Sequence, residues 1–230
     1  MVFSVTTRAG VVRTIVGVAF LASGAALLGT ILLGFALPLG LLLTLIAATV
    51  AATVALRSID AETRQRIDAC VQAGAVAGVL GLICYDSSKA ILSFADPSPF
   101  NPFGATATFG ALLIGTDAPG WALQTAGIGF HILNGIAFAI AYATLFARFG
   151  ATTKRRAVLQ GMAWGVFLET FQLTLYPGWL DIKAYAEFAT ISAGAHLIYG
   201  AVLGLVSRQL LRRRFPPLSD QIRALMPEGG

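Results

Sequence analysis

His131 and His196 are the chain's only histidines, and both stand in the same short frame. The first reads Gly129-Phe130-His131-Ile132-Leu133-Asn134-Gly135, the second Gly194-Ala195-His196-Leu197-Ile198-Tyr199-Gly200. Imidazole takes up and releases protons near neutrality and is the commonest metal ligand. Both frames lie in apolar stretches, where an ionisable group is unfavourable by roughly several kcal/mol unless it is paired or faces a cavity. Two matching frames point to an internal duplication around one polar site.

Glu169 is the third ionisable group of that layer. Counted along a helix at 1.5 Å per residue, His131 lies roughly 15 Å below Trp121. By the same rise His196 lies roughly 12 Å below Phe188, and Glu169 roughly 12 Å from Pro177. Helical spacing adds Asn134 three residues after His131, Gln172 three after Glu169 and Tyr199 three after His196. Asp86 is a further candidate. It stands three residues before Lys89, near the outer end of its helix, and reads either as half of a snorkelling Asp–Lys pair or as an acid of the site. In the alignment of the two halves Asp86 and Lys89 break the repeat. The plain alternative to a functional site is a buried hydrogen-bond network that fixes helix register.

His131, His196 and Glu169 match a metal site in number and ligand type, zinc above all, although three separate helices give no diagnostic spacing. The two histidines also suit bis-histidine haem ligation. No His-Glu-x-x-His frame, Gly-x-Ser-x-Gly elbow or Walker loop occurs. Ser87, Ser88 and Ser192 lack any signature of a nucleophile. Cys70 and Cys84 fall in one helix about 21 Å apart, beyond disulfide reach.

The elements that must position these groups are membrane helices. Of 230 residues 57% are hydrophobic and 12% charged, and mean hydropathy is +0.78, against about a quarter charged in soluble domains. The chain reads as all-α, a polytopic membrane helical bundle forming one transmembrane domain over 1–215 with a short cytoplasmic tail over 216–230. Six transmembrane helices are expected, at 14–36, 39–56, 69–92, 121–147, 157–176 and 188–211. Pro38 and Gly40 divide the first two, and the first is read as an uncleaved span rather than a signal peptide.

Arg8, Arg13, Arg57, Arg64, Arg66, Arg148, Lys154, Arg155, Arg156, Arg208, Arg212, Arg213, Arg214 and Arg223 fall on one side of such a bundle. Lys89 and Lys183 fall on the other. The positive-inside rule then places both termini in the cytoplasm of a bacterial inner membrane. The net charge of +5 comes from this asymmetry, so the lipid bilayer and not nucleic acid is the expected partner.

The Asp96-Pro97-Ser98-Pro99-Phe100-Asn101-Pro102 connection leads into a segment over 103–115 that is too short to cross, and is either interfacial or re-entrant. Pro177-Gly178 reads as a turn beside an aromatic belt of Trp179, Tyr176 and Tyr185. Gln72, Gly74 and Gly78 are aligned with Gln160, Gly161 and Gly165. Spans three and four then form one unit, five and six its copy, in a parallel repeat of two-helix units, with spans one and two as an added scaffold.

The run of His131 with Phe138, Ala139 and Tyr142, then Gln160-Gly161, then Ala195-His196 with Arg212 and Arg213 resembles the YagU-like bacterial inner-membrane proteins over spans three to six. The resemblance implies an inner-membrane location and transfers no activity. The leading expectation is a small permease or channel-like protein for a proton, cation or small polar solute, with a homodimer widening a narrow path. The competing classes are a metal-dependent intramembrane enzyme acting on a lipid, a bis-histidine haem protein and a non-catalytic accessory subunit.

Overall fold

The computed structural model describes residues 2–95, 101–147, 153–180 and 185–216. They form eight helices: α1 (Val2–Ala19), α2 (Ala22–Leu33), α3 (Leu37–Arg57), α4 (Ala61–Ala95), α5 (Gly104–Ile114), α6 (Gly120–Leu145), α7 (Lys154–Trp179) and α8 (Tyr185–Arg214). Helices α3, α4, α6 and α8 are each long and apolar enough to cross a membrane, and α1 with α2 makes a fifth crossing if the bent pair is one span. The chain is an all-α, multi-helix membrane bundle. Helix α7 is as long as α6, but Gln160, Glu169 and Gln172 dilute its apolar run. Asp96–Phe100, Arg148, Asp181, Lys183 and Arg223 lie outside the described residues.

The stretch expected as one span over 14–36 is two helices meeting at 53°. The break falls at Phe20-Leu21, where the Leu21 N–H reaches back to the Val18 carbonyl at 2.9 Å. Glycines on either side let both halves lean on α6: a Cβ at Gly17 would press on Leu145, and one at Gly24 would sit 2.7 Å from the Phe138 ring. Gly34, at φ +72°, ends α2 in the left-handed conformation that favours glycine. Pro38 falls in the first turn of α3, where its missing N–H is harmless. The reversal is therefore at Gly34–Ala36, ahead of the Pro38-Leu39-Gly40 stretch. Helix α7 also runs through Pro177-Gly178 to Trp179, so the expected turn there is helical.

One end of the bundle is held together by its arginines. Arg13 donates to the carbonyls of Thr144 and Ala147, tying α1 to the end of α6. Arg64 donates to the Leu56 carbonyl at 3.0 Å, Arg214 to Gln72 Oε1 at 2.6 Å, and Arg66 lies over the Phe215 ring. Asp60 caps α4, accepting from the Thr63 N–H at 2.8 Å and the Thr63 hydroxyl at 2.9 Å. These two bonds hold its carboxyl below the usual aspartate range. The cap's contribution is therefore present above the unfolded aspartate pKa and is lost as pH falls through the lowered folded value. Asp60→Ala should speed amide exchange in the first turn of α4 at neutral pH. Unchanged exchange there would show the cap to be dispensable.

Close helix approach comes from glycine. A Cβ on Gly74 would meet the Ile140 backbone, and one on Gly78 the Ile136 backbone at 2.9 Å, so α4 lies against α6. Gly161, Gly165, Gly200 and Gly204 bring the backbones of α7 and α8 together, and Gly110 and Gly127 do the same for α5 and α6. Helix α4 packs on both α6 and α8, which barely touch each other. The two histidine helices therefore flank α4.

Candidate functional site

Tyr85, about two-thirds of the way along the long helix α4, stands against both histidines. Its ring centroid is 5.8 Å from that of His131 and 4.8 Å from that of His196. Tyr85 is fully packed, at 5% exposure. Tyr199 also stands edge-on to it at 6.1 Å, and donates its hydroxyl to the carbonyl of Gly135, the last residue of the first histidine frame.

Each histidine is paired with a carboxylate on the neighbouring helix. His131 Nε2 lies 3.0 Å from Asp86 Oδ1. His196 Nδ1 lies 2.6 Å from Glu169 Oε2 and 3.0 Å from the Ser192 carbonyl. Two acceptors at Nδ1 require that nitrogen to carry a proton. Ser192 donates to the same Glu169 oxygen at 2.9 Å, and Gln172 Nε2 stands 3.3 Å from His196 Nε2. With Nε2 unprotonated, the Gln172 amide donates to it. The other carboxylate oxygen, Glu169 Oε1, is buried with no hydrogen-bond partner among the described residues.

The two pairs differ in burial. His196 and Glu169 side chains are 6% and 5% exposed, whereas His131 and Asp86 are 25% and 39% exposed. Lys89, one turn beyond Asp86, stacks its ammonium on Tyr85 and Phe103, 5.2 and 5.3 Å from the ring centroids. The snorkelling Asp86–Lys89 pair is thus replaced by Asp86–His131, with Lys89 held over aromatic faces.

A cavity of about 600 Å³ joins these groups. Asp86, Lys89, His131, Asn134, Gln172, His196 and Tyr199 all line it. Glu169 stands behind His196 and reaches the cavity through the imidazole. Helix α5 forms part of the wall through Phe103–Thr106, Thr108 and Phe109. Helix α2 supplies Leu28 and Ile31, so the first expected span is more than scaffold. The lining ends at Leu82, Phe138, Phe167 and Tyr199 on α4, α6, α7 and α8. Towards the arginine-rich end the bundle closes over Ala139, Tyr142, Ala143, Leu203 and Leu211, all at most 2% exposed.

The proposed metal set of His131, His196 and Glu169 does not gather in this geometry. Among the described residues no three His, Cys, Asp or Glu side chains group to hold a metal ion, because the two histidines bond separate carboxylates.

Sequence reasoning missed Tyr85, Ser192 and the role of Asp86, and the missing signal was register. Gly78 faces Gly135, and Gly161 faces Gly200, the closing glycines of the two histidine frames. Counting from these contacts, Asp86 is eight residues after Gly78 and Glu169 eight after Gly161. Lys89 and Gln172 are each eleven after. The contacts therefore align Gly78 with Gly161, four residues off the Gly74–Gly161 alignment, and Asp86 falls opposite Glu169 instead of interrupting the pattern. No family model, no curated protein and no solved structure matches the chain, so its functional reading rests on this geometry.

Proposed function

We propose that the chain is a small proton-coupled permease with six membrane crossings, its pocket accessible from one half of the bilayer and closed in the other. In this reading the α1–α2 pair is the first crossing and α7 the fifth. Helices α4–α6 and α7–α8 are parallel repeat units, with α5 inserted in the first. The arginine-rich end faces the cytoplasm of a bacterial inner membrane, as the positive-inside rule and the YagU-like resemblance imply, and both termini lie there. One chain supplies every polar group named in the pocket, so a homodimer would assemble two such sites rather than complete one.

The observation that carries the reading is the pair of His–carboxylate couples, in equivalent register, on one cavity. A His–carboxylate couple with neutral imidazole carries one negative charge, and a single added proton makes it neutral. Each couple therefore gains a proton by passing from one negative charge to none, and the loaded couple leaves no uncompensated charge in a low-dielectric site. Transporters commonly bind at the interface of two repeats near mid-membrane, and close glycine packing leaves α6 and α8 free to shift without unlocking side chains.

Protein reconstituted in liposomes containing a pH-sensitive dye, under an imposed membrane potential, should move protons faster than empty vesicles. The double variant Asp86→Asn/Glu169→Gln should lower that flux at least tenfold. Flux no greater than from empty vesicles overturns the permease reading.

A further inference from the structure

The shape and charge of the cavity bear on what it holds. Helix α7 packs on α8, and α2 packs on α3 with a lighter contact to α6. The cavity lies between α2 and α7, lined on one side by Leu21, Ala25, Leu28 and Ile31 and on the other by Phe167, Phe171 and Leu175. Phe167 and Phe171 line it and are 44% and 39% exposed. Helices α2 and α7 both line the cavity but do not pack closely on each other, which leaves a gap in the wall between them. Within a bilayer that gap opens on acyl chains, not on water.

The polar groups gather on α4, α6 and α8 and, through Glu169 and Gln172, on the side of α7 that faces α8. Both carboxylates there are engaged by histidines. Among the described residues Lys89 is the one fixed cation of the lining, and its ammonium is held by ring faces, an arrangement that leaves its charge directed to whatever shares the cavity. A small hydrophilic solute or a metal cation would leave the aromatic and aliphatic wall unused and would meet Lys89 as a like charge or at a distance.

We propose, building on the permease reading, that the pocket takes a membrane-borne amphiphile with an anionic head, phosphate or carboxylate. It would be admitted sideways between α2 and α7, with its head at Lys89, His131 and Gln172 and its chain along Leu28, Ile31, Phe167 and Phe171. A volume of about 600 Å³ falls within the usual range for small-molecule sites, roughly 300–1,000 Å³. The anion's charge also complements proton uptake by the two couples: with both singly protonated and neutral, Lys89 leaves the site at one positive charge.

The full chain in nanodiscs of zwitterionic lipid, with empty nanodiscs as the partition control, tests this with decyl phosphate, decyltrimethylammonium and inorganic phosphate as probes. Decyl phosphate should raise the melting temperature and bind at least tenfold tighter than decyltrimethylammonium, while inorganic phosphate should bind at least tenfold more weakly. Lys89→Gln should weaken decyl phosphate at least tenfold, and Lys89→Arg, which keeps the charge, should restore most of the binding. Equal affinity for the two decyl probes, undiminished binding to a folded Lys89→Gln variant, or inorganic phosphate binding as tightly as decyl phosphate overturns the proposal. Decyl phosphate binding without proton flux would remove the permease and leave this ligand class standing. Proton flux without decyl phosphate binding would do the reverse.

Discussion

Gly161→Val is expected to unseat α7 from α8 and to take the Glu169–His196 couple with it. A Cβ at 161 would overlap the Gly200 carbonyl oxygen, and the reciprocal Cβ at 200 would overlap the Gly161 carbonyl. These obstacles are backbone atoms, which cannot swing aside as a side-chain end does. Overpacking a tight interior costs about 1–3 kcal/mol where side chains can yield, so a backbone clash belongs at or above about 3 kcal/mol on that scale. In a membrane, where helix association rests on van der Waals fit rather than on expelling water, the lost contact is not recovered elsewhere. Thermal unfolding in nanodiscs should show a large drop for Gly161→Val. Gly129→Ala is the internal control: nothing lies within 4 Å of its added Cβ, and alanine gains about 0.5–1 kcal/mol over glycine in a helix. A Gly161→Val protein that melts with the wild type would mean that α7 and α8 do not approach as described.

The class of the molecule was legible because hydrocarbon imposes it. Long apolar runs in a chain with few charges read as membrane helices, and α3, α6 and α8 stand within about three residues of their expected bounds. Helix α4 overshoots its expected span at both ends because its polar first turns, from Glu62 to Asp68, remain helical beyond the apolar run. The bend at Phe20-Leu21 was not legible, since neither residue is a helix breaker. It follows from what Gly17 and Gly24 meet on α6, a tertiary fact. Pro177-Gly178 misled in the opposite direction, reading as a turn where α7 continues.

The site was legible by residue type and only in part by partnership. His131, Asn134, Glu169, Gln172, His196 and Tyr199 were marked by being polar at similar depth, and all but Glu169 line one cavity. What depth along a single helix cannot give is the rotation of one helix against the next. That rotation decides that His131 meets Asp86 rather than Glu169, and that Tyr85 stands against both imidazoles. The alignment that paired Gly74 with Gly161 matched small-residue spacing alone, whereas the interhelical contacts pair Gly78 with Gly161 and bring the acids into register.

The unequal burial of the two couples predicts that they fail in different ways. Glu169 Oε2 receives His196 and Ser192 in a setting 5% exposed. Glu169→Ala takes one partner each from the His196 imidazole and the Ser192 hydroxyl in the core. Breaking a buried ion pair from one side costs about 3–5 kcal/mol, whereas a single interhelical hydrogen bond in a membrane averages nearer ~0.6 kcal/mol. Two bonds lost with burial nearly complete place Glu169→Ala at the low end of the first range, about 3 kcal/mol. Asp86, whose side chain is 39% exposed to the cavity and flank, loses far less, and Asp86→Asn should melt within about 0.5 kcal/mol of wild type. Its effect should fall on proton movement instead, because asparagine still accepts from His131 but cannot take a proton. Glu169→Gln separates charge from packing at the buried couple: its carbonyl can accept from Ser192 and His196, so the fold should survive while proton flux falls at least tenfold. Normal flux in a normally melting Glu169→Gln protein would leave the buried couple as a register device, and Asp86–His131 as the one couple able to carry protons.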